Sequence, residues 1–168
     1  MKDMTKLNLE AAFAGESQAH MKYSAFADKA EKEGYPEAAR LFRAIAHAEK
    51  VHATNHLRTL GKINDTLENL KAAAGGENYE IEEMYPAFDA VAKLQNEKGA
   101  ERSFYYAIEA EKIHEVMYND AQKSVVDKKD IPSGNVYVCP VCGHTHIGSE
   151  APEKCPICGV PKDKYIKF

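Results

Sequence analysis

The 168-residue chain has no tryptophan and, through its first 138 residues, no cysteine. All four cysteines fall within the last 30 residues, so they are not disulfides spread to staple a whole fold. Proline is scarce: between about residues 5 and 126 only Pro36 and Pro86 occur, which leaves room for long helices. Positive charge is not in excess. Lys and Arg total 22 against 26 Asp and Glu, a net charge of −4, which argues against nucleic acid as a partner. No run approaches the ~18 uninterrupted apolar residues of a membrane span. The opening MKDMTKLNLEAAF scatters charges where a secretory signal needs an apolar stretch, so the expected location is cytoplasmic. An apolar content of 44% with 29% charged residues excludes disorder of the whole chain. In the absence of tryptophan, the nine tyrosines are expected to supply much of the aromatic core.

What is present divides into a helical part and a small cysteine part, which suits a chain of about one domain plus a module. Ala, Glu, Lys, Leu and Met dominate up to residue 126 and favour helix. Four helices are predicted. The first covers about 5–33 and stops at Gly34. Pro36 opens the second, which runs to about residue 60 and stops at Gly61. Residues 62–78, with Gly75-Gly76, read as a connection. The third helix covers about 79–98, with a kink or bulge expected at Pro86. Gly99 marks the next break, and the fourth helix runs to about 126. A polar linker, DKKDIPSGN at 127–135, precedes a tail too small for an apolar core of its own. The predicted domains are 1–134 and 135–168.

An internal repeat sets the architecture. Shifting the chain by 62 residues aligns 23–52 with 85–114, and eleven of thirty pairs are identical, among them Tyr23/Tyr85, Phe26/Phe88, Phe42/Phe104, Glu49/Glu111 and His52/His114. Chance would give roughly two. One helix–turn–helix hairpin therefore occurs twice, and two hairpins pack naturally as a four-helix bundle.

The repeated segment carries Glu49-x-x-His52 and Glu111-x-x-His114. This spacing puts a carboxylate and an imidazole on one helix face, one turn apart. A charged Glu facing an apolar interior is costly unless it is paired or bound to metal. The first helix offers Glu16 as a further carboxylate, and the third offers Glu80 and Glu83. Such a set, two Glu-x-x-His motifs facing two acidic helices, is the ligand pattern of ferritin-like di-iron carboxylate proteins. It also accepts other divalent ions, so manganese or zinc substitution stays open. The symmetry is broken in the third helix: Glu16 precedes Tyr23 by seven residues, Glu80 precedes Tyr85 by five and Glu83 by two. An extra carboxylate there could let one metal exchange a glutamate for a histidine.

The tail holds two C-P-x-C-G turns, Cys139 with Cys142 and Cys155 with Cys158. Each aims two thiolates at one ion, so the four make a single tetrahedral metal site. The motif alone does not choose between structural zinc and electron-carrying iron.

These stretches, with AFAGESQAHMKYSAFADKAEKEG, LFRAIAHAEKVHATNH, GENYEIEEMYP and AIEAEKIH, resemble the rubrerythrin family from about residue 10 to the end. The resemblance implies a mainly α fold, a ferritin-like four-helix bundle followed by a small rubredoxin-like domain with a four-cysteine metal site. It implies three Fe per chain. Glu16, Glu49, His52, Glu80, Glu83, Glu111 and His114 would hold a di-iron site, with Tyr23 beside it, and the cysteines an Fe(Cys)4 site. His52 and Glu83 would alternate as ligands to one iron. The implied activity is reduction of hydrogen peroxide to water, with electrons reaching the Fe(Cys)4 site from an NAD(P)H-dependent reductase or a small redox carrier, in a homodimer. Because the linker leaves from one end of the bundle, a neighbouring subunit could supply the four-cysteine site in place of the chain's own. Two other readings compete: a ferroxidase that handles iron, and a non-catalytic module built on structural zinc.

Overall fold

The computed structural model describes all 168 residues. The chain forms two compact units, Met1–Asn64 and Asp65–Phe168. No helix is long and apolar enough to cross a membrane.

The first unit is a hairpin of α1 (Asp3–Lys32) and α2 (Pro36–Thr59). Gly34 closes α1 with φ +83, a left-handed conformation that a side chain would resist. Tyr35 then caps α2, whose first residue, Pro36, has its φ already set for a helix. The two helices meet on small residues. Ala39, Ala46 and Ala53 recur every seventh position of α2 and are buried with Ala27 and Ala30 of α1. Methyl side chains allow close backbone approach, and the period of seven keeps the seam on one face.

The second unit opens with α3 (Thr66–Tyr79), started by Asp65, whose carboxylate accepts from the Glu68 N–H at 2.9 Å. The segment predicted as a connection is thus mostly helix. A capped start and the Ala72-Ala73-Ala74 run outweigh Gly75 and Gly76, each of which costs about 1 kcal/mol. A π-helical turn at Glu80–Met84 joins α3 to α4 (Tyr85–Gln95). Here the Tyr85 N–H reaches the Glu80 carbonyl, five residues back. The turn stands immediately before Pro86, whose ring would clash with the carbonyl four residues earlier and which has no N–H to give. The expected bulge at this proline is therefore present.

Asn96, with φ 58, ends α4, and α5 (Lys98–Val126) follows. The break expected at Gly99 falls at Asn96 instead, because asparagine tolerates the left-handed cap. Strand β1 (Asn135–Val138) pairs antiparallel with β2 (Thr145–Gly148) and with β3 (Ile166–Lys167), in the order β2-β1-β3.

The sequence repeat is visible in the packing. Tyr23, Phe26 and Phe42 form an aromatic triad with ring centroids 5.7–6.4 Å apart. Tyr85, Phe88 and Phe104, 62 residues on, form its copy at 5.8–6.4 Å. The tyrosines do not make the deep core. Fully buried apolar positions are alanines and cysteines, and the aromatic rings lie half-buried or exposed around them.

Candidate metal centres

Each unit gathers two carboxylates and one imidazole. In the first, α1 supplies Glu16 and α2 supplies Glu49 and His52, with one ligand atom from each within 4.8 Å of the others. His52 Nδ1 lies 3.0 Å from Glu49 Oε2. His20, four residues after Glu16, turns away and bonds the Ala46 carbonyl at 2.8 Å. Tyr23 sits further along α1, in the first aromatic triad.

In the second unit, α3 supplies Glu77 and α5 supplies Glu111 and His114, again within 4.8 Å of one another. His114 Nδ1 approaches Glu111 Oε2 to 2.6 Å. The Glu111 hydrogen bond raises the His114 proton affinity, and His114 in turn holds the Glu111 carboxyl below its ordinary range. Burial and the hydrogen bond that Glu77 donates to Glu111 push Glu77 up to about 7, so the proton shared between these carboxyls resides on Glu77. Burial and the Glu111 charge also raise Glu80, which sits beside the group without belonging to it. Tyr85 feels burial and the charges of Glu80, Glu111 and Glu77, and stays protonated.

Of the carboxylates expected from the third helix, Glu80 is adjacent and Glu83 is exposed and in neither group. Glu77 takes the place facing Glu111 and His114. The π turn explains why it escapes the repeat. Tyr23 maps onto Tyr85 with a shift of 62, but Glu16 maps onto Glu77 with a shift of 61. The extra residue is absorbed in Glu80–Met84, where one turn takes an additional residue. Eight residues with a π turn thus span what seven span in α1.

The cysteines form a third centre. Cys139 and Cys158 Sγ are 3.4 Å apart, as are Cys142 and Cys155, and all four sulfurs lie within 4.8 Å. A tetrahedral ion with metal–sulfur bonds near 2.3 Å needs sulfurs about 3.8 Å apart, so the set fits one ion. The two turns are built alike. The Gly143 N–H donates to the Cys139 carbonyl and that of Gly159 to Cys155, with Gly143 at φ +78 and Gly159 at φ +77. Burial raises Cys142 and Cys158, while N–H groups of His144 and Val160 pull in the other direction. At Cys155 burial is overcome by the Tyr165 hydroxyl and by the N–H groups of Cys158 and Ile157, which bring the thiol down to about 6. His144 does not approach as a ligand; its Nδ1 meets the Tyr165 hydroxyl at 2.9 Å.

The cysteine centre lies against α5 of its own chain. Tyr106 packs on the cysteine cluster, and His114 Nε2 is 2.8 Å from Thr145 Oγ1 at the start of β2. β2 follows the first cysteine turn and returns onto the helix that bears His114.

The chain matches the family model described as Rubrerythrin over residues 8–122, and that of the rubrerythrin rubredoxin-like domain over 137–166. It is 46% identical to Rubrerythrin-2 of Clostridium acetobutylicum, across 98% of this chain and 97% of the relative. It is 34% identical to Rubrerythrin of Nitratidesulfovibrio vulgaris, across 96% and 92%. Solved structures of nigerythrin, one in a fully reduced, all-ferrous state, are 36% identical with a TM-score of 0.58, across 98% of this chain and 86% of theirs.

Proposed function

This chain belongs to the rubrerythrin family, and from that premise we propose that it is a non-haem di-iron peroxidase that reduces hydrogen peroxide to water. The observation that carries the reading is the coexistence of two Glu-Glu-His groups and one four-cysteine group in a single chain. The donor chemistry suits iron: carboxylates and imidazoles hold ferrous and ferric ions, and four thiolates hold a single redox-active iron. Nigerythrin, a 36% identical relative, is known in an all-ferrous state.

Glu16, Glu49 and His52 would hold one iron, and Glu77, Glu111 and His114 the other, with Glu80 close enough to the second group to add a further carboxylate. Iron held there would supply one electron per ion, and two electrons with two protons take hydrogen peroxide to two molecules of water. The carboxylates would offset the ionic charge, and each group would bring one imidazole to its ion. Tyr85, held protonated among three carboxylates, keeps a hydroxyl donor at the edge of the site. Cys139, Cys142, Cys155 and Cys158 would hold the third iron, and the N–H and Tyr165 O–H groups at their sulfurs would favour its reduced form. Electrons would come from an NAD(P)H-dependent reductase or a small carrier in the cytoplasm. Large apolar side chains such as Leu41, Met21 and Leu94 stand more than 60% exposed, which supports burial of these faces in a homodimer.

Stopped-flow mixing of the fully reduced protein tests the activity. Rapid oxidation by peroxide, with oxygen at least tenfold slower, supports a peroxidase. Equal rates with retention of oxidised iron would support a ferroxidase in its place. Colourless protein with zinc at the cysteines would leave only a structural module.

A further inference from the structure

His114 is gripped at both ring nitrogens. Nδ1 faces Glu111 Oε2 at 2.6 Å, and Nε2 lies 2.8 Å from Thr145 Oγ1. The Thr145 hydroxyl itself donates to the Gly143 carbonyl at 3.1 Å. A hydroxyl has one proton. With that proton directed to Gly143, the Thr145 oxygen acts as acceptor toward His114, and the Gly143 carbonyl also accepts from the ring, an arrangement that places the hydrogen on Nε2. Nδ1 is then the nitrogen left to face the carboxylates of Glu111 and Glu77, which is where an ion would sit. We propose that Thr145 is a positioning residue: its hydroxyl fixes His114 with the hydrogen on Nε2 and aims Nδ1 at the metal. The inference rests on the reading of Glu77, Glu111 and His114 as metal ligands.

Three features support this role. Gly143 is pinned by its own N–H to the Cys139 carbonyl, so the acceptor that orients the Thr145 proton is fixed by the knuckle. Gly143 also stands close to α5, where a Cβ at this position would lie 3.8 Å from the Ala110 methyl. The two histidines of the repeat are consequently unequal: the His114 side chain is 25% exposed and held at both nitrogens, whereas that of His52 is 54% exposed. The cysteine-bearing segment thus supplies an outer partner to a helix-borne ligand, in the way that metal-bound histidines commonly donate their second N–H to an oxygen.

The test uses the full-length protein loaded with cobalt(II), whose thiolate band reports the cysteine centre separately from the carboxylate groups. Wild-type protein is expected to show a hyperfine-shifted His114 ring N–H that exchanges slowly with solvent. In Thr145→Val that exchange should quicken at least tenfold, and cobalt affinity at the Glu77 group should fall 10- to 100-fold. The thiolate band should be unchanged. Thr145→Ser keeps the hydroxyl and should retain both wild-type values, which decides the matter even if valine disturbs the strand. Affinity within twofold and unchanged exchange in Thr145→Val would overturn the proposal, as would loss of both in Thr145→Ser. If wild-type protein takes up cobalt only at the cysteines, the metal-ligand reading itself has failed.

Discussion

Replacing Glu77 with glutamine removes one titrating proton while keeping the outline of the neutral carboxyl. Burial and the Glu111 hydrogen bond push Glu77 from an ordinary 4.5 to about 7. The folded protein therefore holds this proton more tightly than the unfolded chain does. Its contribution to stability is fully present below about pH 4.5 and is lost as pH rises through 7. The gap is worth at most about 3 kcal/mol. The site is only half-buried, and solvent screening brings that to about 1–2 kcal/mol. In urea unfolding of metal-free protein, wild type should lose about that much more than Glu77→Gln between pH 5 and 8. At about 2–4 °C per kcal/mol for a chain of this size, the difference is roughly 2–8 °C in Tm. The same proton governs metal binding. Glu77 and His114 must both release protons to an incoming cation, so wild-type affinity should rise up to about a hundredfold per pH unit below 7, and that of Glu77→Gln about tenfold. Parallel stability curves, or equal slopes of affinity against pH, would refute the placement of a protonated Glu77 in this group.

Three further outcomes follow from the geometry. Deleting Glu82 should turn the π turn into α-helix and rotate Glu77 by about 100° relative to the Tyr85 triad; iron analysis should show loss of bundle iron while circular dichroism shows helix retained. Phe104→Ala and Phe42→Ala remove equivalent members of the two triads, so denaturant unfolding should show similar losses, about 2 kcal/mol each, below the 3–5 kcal/mol of a fully buried ring. Cys139→Ser should abolish the cysteine-site metal and the order of residues 135–168, seen by visible absorption and amide exchange, and leave the helical signal intact.

Much of this was legible in the sequence, for physical reasons. Gly34 and Pro36 mark a helix end and a helix start because each fixes a backbone angle that few residues share. Glu49-x-x-His52 and Glu111-x-x-His114 reveal a ligand face because one helical turn dictates their spacing, and the four cysteines need no fold to be recognised as one site. Glu77 was not legible: it lies next to Gly75-Gly76, and its match to Glu16 is displaced by a residue that only the i→i−5 bond of the π turn makes visible. The core escapes a reading of composition for a similar reason. Composition points to tyrosine, but helices that approach closely bury alanine, and which alanines do so depends on a partner helix. The role of Thr145 depends on a contact across 31 residues of sequence, which no local pattern records.

The most direct measurement is an anaerobic titration of the fully reduced protein with hydrogen peroxide, monitored by visible absorption and by iron analysis of the same sample. The peroxidase reading predicts about three iron atoms per chain. It also predicts that the colour of the oxidised cysteine site returns with peroxide, at an end point near three peroxides for every two chains, as a two-electron oxidant draining three one-electron irons requires. Colour that returns with oxygen as readily as with peroxide, or carboxylate groups that hold no iron, would contradict it.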